Sequence, residues 1–286
     1  MKTLGHSLAA SVRKLGYTRA ALYKAMVVLK RQEQGQSELK ALVLKRRQKL
    51  PFEGCRKLFH VLSKEYPEQM SMGRDKFFAF MKKEGLLVER KRRYARTTDS
   101  NHIFRIHQNL IENLEVTQPN QVWVSDITYL RTRTGFVYLA LITDLYTRRI
   151  VGADVSNSLG VEGCIRALKM ALKQRKNAIN TIHHSDRGIQ YCCRPYTSIL
   201  QQNGCLISMA EKGNCYQNAV AERVNGILKT ELGLDHVFDS LEQATITTAQ
   251  AIRLYNQVRP HFSLNYQTPT DFYINSLTQT VNLYQD

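Results

Sequence analysis

The chain has 286 residues, 43% of them hydrophobic, with only 15 glycines and 6 prolines, a composition that excludes wholesale disorder. No run is long and apolar enough to span a bilayer and no secretory leader pattern opens the chain, so a cytoplasmic protein is expected. The six cysteines (Cys55, Cys164, Cys192, Cys193, Cys205 and Cys215) form no C-x-x-C pair and read as reduced thiols, not a disulfide framework.

The formal net charge of +17 is unevenly placed. Residues 1–98 hold 24 Lys+Arg against 8 Asp+Glu, a net of +16, and residues 99–286 add only +1. A field so concentrated releases counterions from a polyanion, which makes nucleic acid the leading partner. The plainer alternative is a solvated face that keeps the protein soluble.

In SLAASVRKLGYTRAALYKAMVVLKRQ, apolar residues recur at helical spacing on both sides of Leu15-Gly16-Tyr17, and Thr18 is placed to cap the second helix. Two short helices about a glycine turn, the second one basic, predict a helix-turn-helix over residues 1–35, with Arg19 and Lys24 as candidate DNA contacts. SELKALVLKRRQKL, GCRKLFHVLSKEY and GRDKFFAFMKKEG predict further helices in a second DNA-binding module, residues 36–98, with Arg74 and Lys76 as contacts. The run LLVERKRRYARTTDSNH has no periodicity, and Arg90, Lys91, Arg92 and Arg93 read as a tether along phosphate or as a solvated one. Residues 99–119 read as a linker helix.

From Asn120 the period changes to two. QVWVSDITYLR, FVYLALITD and RRIVGADVS predict three antiparallel strands joined by tight turns. A helix over VEGCIRALKMALKQRK, the strand NTIHHSD, a helix near PYTSILQQNG, the strand CLISMA and a helix through NAVAERVNGILKTEL follow. Ser-Leu-Glu-Gln at Ser240 fits a capping box that opens a last helix, running to about Tyr255. The fold class is therefore α/β, a mixed five-stranded sheet flanked by helices over residues 120–275, with a tail at 276–286.

Three acids in this region are costly for stability. Asp126 interrupts an apolar strand between Val124 and Ile127, Asp186 ends the strand of HHSDRG, and Glu222 lies on a helix whose apolar residues Val220, Val224, Ile227 and Leu228 point the other way. Clustered carboxylates repel one another and are tolerable with cations between them, and oxygen-only ligation selects a hard ion such as Mg²⁺. Each acid alone has an ordinary reading as a loop cap or a solvated side chain.

WVSDITYL, DLYTRRIVG, HHSDRGIQY and GNCYQNAVAERVNGILKTEL closely resemble the catalytic domain of DDE transposases of bacterial insertion sequences, of the second-reading-frame (OrfB) type with a retroviral-integrase-like core. The 59 residues between Asp126 and Asp186 and the 35 between Asp186 and Glu222 match that family's spacing. RPHFSLNYQTPTDFY resembles its C-terminal signature, and KKEGLLVERKRR the end of its helix-turn-helix module. The resemblance implies a ribonuclease-H-like fold and a triad, Asp126, Asp186 and Glu222, that holds two Mg²⁺ ions, with Mn²⁺ able to substitute. It implies cleavage of DNA at the ends of the element and strand transfer by the freed 3′-hydroxyl. It also implies element-end and target double-stranded DNA as partners, a homo-oligomer on paired ends, a first-reading-frame protein partner and a nucleoid-associated bacterial location. Asp144 matches a position outside the triad and reads as structural. Gln217, Arg223-Val224 and Cys192-Cys193 depart from the family pattern.

Beside the triad, Arg187, Lys212, Asn218 and Lys229 are candidate DNA contacts. Lys229 follows Glu222 by seven residues and returns to within about 20° of it on a helix, on the side of Gly226. Its ordinary reading is a solvated lysine paired with Asn225 or Glu231. A zinc site from His183, His184, Cys192 and Cys193 is disfavoured, because neighbouring strand side chains point to opposite faces. One of the two histidines is expected to pack under the sheet and the other to line the cleft. The functional alternatives are a structure-specific nuclease of the same fold and a DNA-binding regulator with a silent catalytic fold.

Overall fold

A computed structural model describes residues 16–88, 105–175, 180–211 and 218–282, with side chains described to residue 278. The chain divides into two compact units, Met1–Lys49 with Leu58–Leu87, and Leu50–Lys57 with Val88–Asp286.

The smaller unit is helical. Helix α1 spans Arg19–Lys49, α2 spans Cys55–Glu65 and α3 spans Arg74–Lys83. Thr18 caps α1, its Oγ1 accepting from the Ala21 N–H at 3.1 Å. Leu39, Val43, Leu58, Leu62, Met70, Phe77, Phe80 and Met81 are the unit's buried apolar side chains among the described residues, and the Phe59 and Phe77 rings meet at 5.6 Å. The boundary expected at residue 35 is corrected, because α1 runs through it unbroken for 31 residues. A single glycine, Gly35, costs a helix only about 1 kcal/mol, and its neighbours are good helix formers. Gln34 also donates to Glu38 across it at 3.2 Å. The first helix of the expected helix-turn-helix lies outside the described residues.

The linker helix expected over residues 99–119 is also corrected, since 105–119 contain no helix and 99–104 fall outside the described residues. The segment runs instead beside a sheet edge, and Met209 N–H donates to the Gln108 carbonyl at 3.4 Å and Leu110 N–H to Ser208 Oγ at 2.9 Å. Covering an edge strand satisfies both backbones better than an isolated helical turn would.

The larger unit follows the predicted order. Its strands are β1 Val122–Thr132, β2 Gly135–Asp144, β3 Ile150–Ser156, β4 Ile182–Ser185, β5 Leu206–Met209 and β6 Val237–Phe238. Its helices are α4 Val161–Gln174, α5 Ile189–Cys192, α6 Arg194–Gln202, α7 Ala219–Thr230, α8 Leu241–Gln257 and α9 Pro269–Asn282. The sheet order is β3-β2-β1-β4-β5, with β6 paired to β1 as a sixth strand. β1, β2 and β3 are antiparallel, and β4 and β5 continue parallel to β1, which is the ribonuclease-H-like arrangement. Two corrections follow: among the described residues the sheet has six strands rather than five, because the two-residue β6 is too short to show periodicity; and α9 crosses the boundary drawn at residue 276.

Helices cover both faces. On one, Leu130, Val137, Leu139 and Leu141 pack against Val224, Ile227 and Leu228 of α7 and Ala251 and Tyr255 of α8. On the other, Trp123, Ala140 and Ile142 pack against Cys164, Ala167, Leu168 and Ala171 of α4 and Tyr196 and Leu200 of α6. α4 approaches β3 so closely that a Cβ on Gly152 would lie 2.2 Å from the Ala167 carbonyl oxygen. Ser240 opens α8 as predicted, its Oγ accepting from the Gln243 N–H at 3.1 Å. Among the described residues no helix is long and apolar enough to cross a membrane.

Candidate active site

The parallel register of β1 and β4 builds the site. Ser125 pairs with Ser185, so the next residue of each strand, Asp126 and Asp186, is brought alongside the other at the carboxyl end of β4. In open α/β sheets this end is where ligands bind. Asp186 is fixed by the turn that follows, where Gly188 N–H donates to its Oδ1 at 2.9 Å. A Cβ on Gly188 would already sit 3.0 Å from that oxygen, so glycine suits the turn.

Burial, and next the charge of Asp186, push the Asp126 carboxyl up to about 7, with Glu222 adding to the rise. Asn225 of α7 opposes this by donating from Nδ2 to Asp126 Oδ2 at 2.7 Å. The third acid stands apart. Glu222 is on the exposed side of α7, whose buried side carries Ala221, Val224, Asn225, Ile227 and Leu228. Among the described residues no three His, Cys, Asp or Glu side chains close around one point. The donor set fits a hard cation all the same: the paired carboxylates Asp126 and Asp186 are oxygen donors, and the nearby amide oxygen Asn225 Oδ1 is buried without a hydrogen-bond partner.

Both histidines of HHSDRG are buried. His183 Nε2 lies 2.7 Å from Ser125 Oγ and 2.8 Å from the Tyr196 hydroxyl, and burial pushes its pKa down to about 3. His184 Nδ1 lies 2.8 Å from Ser208 Oγ. With His184 at 0% exposure and His183 at 1%, neither lines the cleft, which corrects the expectation that one would. A four-residue strand inside a parallel sheet is covered on both faces, so alternation places both rings in core.

Asp144 is an anchor of the β2–β3 turn. It accepts from the Thr147 N–H at 2.7 Å and hydroxyl at 2.6 Å, and from the Asn120 N–H at 2.6 Å. Asn218 is not placed to touch DNA: it is 5% exposed and its Nδ2 donates to the Ser125 carbonyl at 3.2 Å, tying the start of α7 to β1. Arg187 is half-buried, and its Nε donates to the Ala210 carbonyl at 2.8 Å. Lys229 is half-buried; burial lowers its pKa, while Asp235 and Asp126 raise it and Arg131 lowers it further. The partners of its ordinary reading are engaged elsewhere, Asn225 with Asp126 and Glu231 with Arg259 and Lys57. Arg19, Lys24, Arg74 and Lys76 are exposed, whereas Lys212, Arg90, Lys91, Arg92 and Arg93 lie outside the described residues. In the sequence, Asn225 stands out only as a partner for Lys229. Its offset of three residues from Glu222 was the signal that it shares a helical turn with the acid.

The chain is similar to known integrase-core proteins. The integrase core domain family matches residues 116–215, and a second integrase core domain family matches residues 203–269. A 31 kDa protein of insertion element IS600 from Shigella sonnei is 39% identical over 203 residues, covering 70% of this chain and 75% of that one. Transposase InsF of insertion sequence IS3A from Escherichia coli K12 is 35% identical over 196 residues, covering 68% of each. The HTLV-2 integrase catalytic core, solved with magnesium, aligns at a TM-score of 0.44 with 18% identity, over 55% of this chain and 97% of that one. The fold and site define an integrase-core polynucleotidyl transferase. The chain belongs to the transposases of IS3-type insertion sequences.

Proposed function

We propose that Asp126, Asp186 and Glu222 are the catalytic carboxylates of this transposase, acting on the ends of its own element with two Mg²⁺ ions, for which Mn²⁺ can substitute. The observation that carries the reading is the register that sets Asp126 beside Asp186, with the Asp126 carboxyl pushed up to about 7 by burial and by its acidic neighbours. A half-buried acid pair of this kind is expensive without a cation and useful with one. Bound divalent ions would supply activation of the attacking hydroxyl and charge neutralisation at the leaving oxygen.

The protein's own part is to hold the reacting groups. Asp126 and Asp186 stand on the rigid centre of the sheet, and Glu222 is carried on α7, docked on β1 through Ala221 against Val122 and Val124. In cleavage, water oxygen forms a bond to phosphorus as the bond from phosphorus to the 3′-oxygen breaks, and that oxygen leaves as a 3′-hydroxyl. In transfer, the oxygen of this hydroxyl forms a bond to a second phosphorus as that phosphorus loses the 3′-oxygen of its own strand, which takes the proton and leaves as a new 3′-hydroxyl, so no nucleophilic serine or tyrosine is needed. Lys229, beside the carboxylates, would hold a phosphate near the attacked one. The basic helices would bind the element ends through Arg19, Lys24, Arg74 and Lys76, in a homo-oligomer on paired ends with a first-reading-frame protein as partner.

The test is incubation of the full chain with labelled end DNA and Mg²⁺, scored for nicked and joined strands. Both products are expected. Nicking without joining would favour the structure-specific nuclease, and end binding without either would favour the silent regulator.

A further inference from the structure

We infer that Asn225 is a positioning residue for this reaction: its amide nitrogen fixes one oxygen of Asp126, and its amide oxygen is the acceptor for water on the cation. The inference rests on the carboxylate role of Asp126 proposed above. Asn225 is 5% exposed, on the buried side of α7. A primary amide at such a place is unfavourable unless both its ends are bonded. Only one end is: Nδ2 donates to Asp126 Oδ2 at 2.7 Å, while Oδ1 is buried with no hydrogen-bond partner.

The placement is specific. Asn218, seven residues earlier, is the buried residue that immediately precedes α7. It meets the residue before Asp126 with the same polarity, its Nδ2 donating to the Ser125 carbonyl. The two amides thus hold α7 against consecutive residues of β1, but only Asn225 bonds a carboxylate oxygen. A leucine would remove the orphaned oxygen but would leave Asp126 Oδ2 without this donor. What the amide adds is a fixed orientation for Asp126 and an acceptor beside it.

The chemistry suits a hydrated cation. Carboxylates that hold metal are themselves hydrogen-bonded, and such partners orient the free oxygen toward the ion. Mg²⁺ keeps several of its waters, and these are strong donors for a buried amide oxygen. Asparagine provides both contacts without adding negative charge to the Asp126–Asp186 pair.

The experiment measures Mn²⁺ binding to the full chain without DNA, by the paramagnetic resonance of free Mn²⁺, beside joining rates and thermal unfolding in EDTA. Asn225→Leu keeps the branched shape without the polar ends, Asn225→Ser guards against a leucine variant that fails to fold, and Asp126→Asn is measured alongside. The expected result is roughly tenfold weaker Mn²⁺ binding in the Asn225 variants. Joining should fall and be partly regained at high Mn²⁺, with unfolding in EDTA unchanged or at higher temperature for Asn225→Leu. Wild-type Mn²⁺ affinity in either folded Asn225 variant, while Asp126→Asn loses binding, would overturn the positioning role alone. Wild-type affinity in Asp126→Asn as well would overturn the carboxylate reading itself. Weaker binding with a matching drop in EDTA stability in both Asn225 variants would assign the residue to packing and overturn the inference.

Discussion

Arg259 and Glu231 meet through two hydrogen bonds of 2.9 Å, Nε to Oε2 and Nη2 to Oε1, with Arg259 only 4% exposed. Lys57 adds a third contact to Glu231 at 2.6 Å. The pair joins the end of α7 to the RPH segment after α8, so it holds the helix that carries Glu222 and Lys229. Burial works to raise the Glu231 carboxyl, but the hydrogen bond and charge of Arg259, with Lys57, outweigh it and hold the group below its ordinary value.

Removing one partner leaves the other charge buried, which costs about 3–5 kcal/mol. Arg259→Met should therefore unfold at much lower temperature than wild type, and the double variant with Glu231→Leu should recover part of the loss. Because the Glu231 pKa is depressed on folding, its contribution is full above the unfolded value near 4.3 and is lost as pH falls through the folded one. Thermal melts from pH 7 to pH 3 should show Glu231→Gln less acid-sensitive than wild type. Equal acid slopes would remove this pair from the stability account.

The triad substitutions Asp126→Asn, Asp186→Asn and Glu222→Gln each remove ligand charge with little change of shape. Each should abolish cleavage and joining while leaving end binding intact, read by gel shift and strand-transfer assays on the same preparations. Near-normal joining by any one would release that residue from the assignment.

His183 gives a second pH prediction. Its ring is neutral in the folded protein, pushed down to about 3, whereas an unfolded histidine titrates near 6.5. Stability from this group is full above 6.5 and is lost as pH falls from there toward 3. The stability of His183→Gln should be lower at pH 7 and should fall less steeply between pH 6.5 and 4. A slope equal to that of wild type would mean that another group carries the loss.

Strand alternation made β1 legible because Trp123 and Ile127 face one side and Val124 and Leu130 the other, and Asp126 broke that pattern visibly. The neighbouring position of Asp186 needs the Ser125–Ser185 register, which no local pattern encodes. The same limit hid β6, whose two residues gain their strand geometry only from β1. It misplaced one of the two histidines too: polarity points to a wet cleft, yet Ser125 and Tyr196 bond the His183 ring and Ser208 the His184 ring inside the core. The boundary expected at residue 35 fails because the helical bonds that run through Gln34, Gly35 and Gln36 depend on backbone alone.

The cations of the helical unit divide by their surroundings. Arg19 stacks on Tyr23 at 5.6 Å, and Arg74 meets Asp75 at 3.0 Å, while both remain exposed along with Lys24 and Lys76. If these side chains meet phosphates, each alanine substitution in the full chain should weaken binding to all DNA sequences alike and lower the salt slope by about one. Salt titrations that keep the wild-type slope for Arg19→Ala and Lys24→Ala would place the DNA elsewhere.

Lys229 offers the sharpest test of how DNA is held at the carboxylates. Burial lowers its pKa, so the ammonium is partly stripped of water, and the opposing charges that act on it are Asp235 and Asp126. Asn225 and Glu231, the partners that would make it an ordinary helical lysine, bond Asp126 and Arg259 instead. The space around Gly226, one turn before it, is open, with nothing within 4 Å of an added Cβ. A cation so placed beside an acidic pair can pull a phosphate toward the metal-binding oxygens without competing for them. Lys229→Ala should therefore cut strand transfer by roughly 10²-fold, the scale of losing one preorganised charge contact. Lys229→Arg should restore much of the rate, because the charge returns, and end binding measured alone should change little in either variant. Wild-type joining rates for Lys229→Ala across DNA concentrations would show that this side chain does not position DNA.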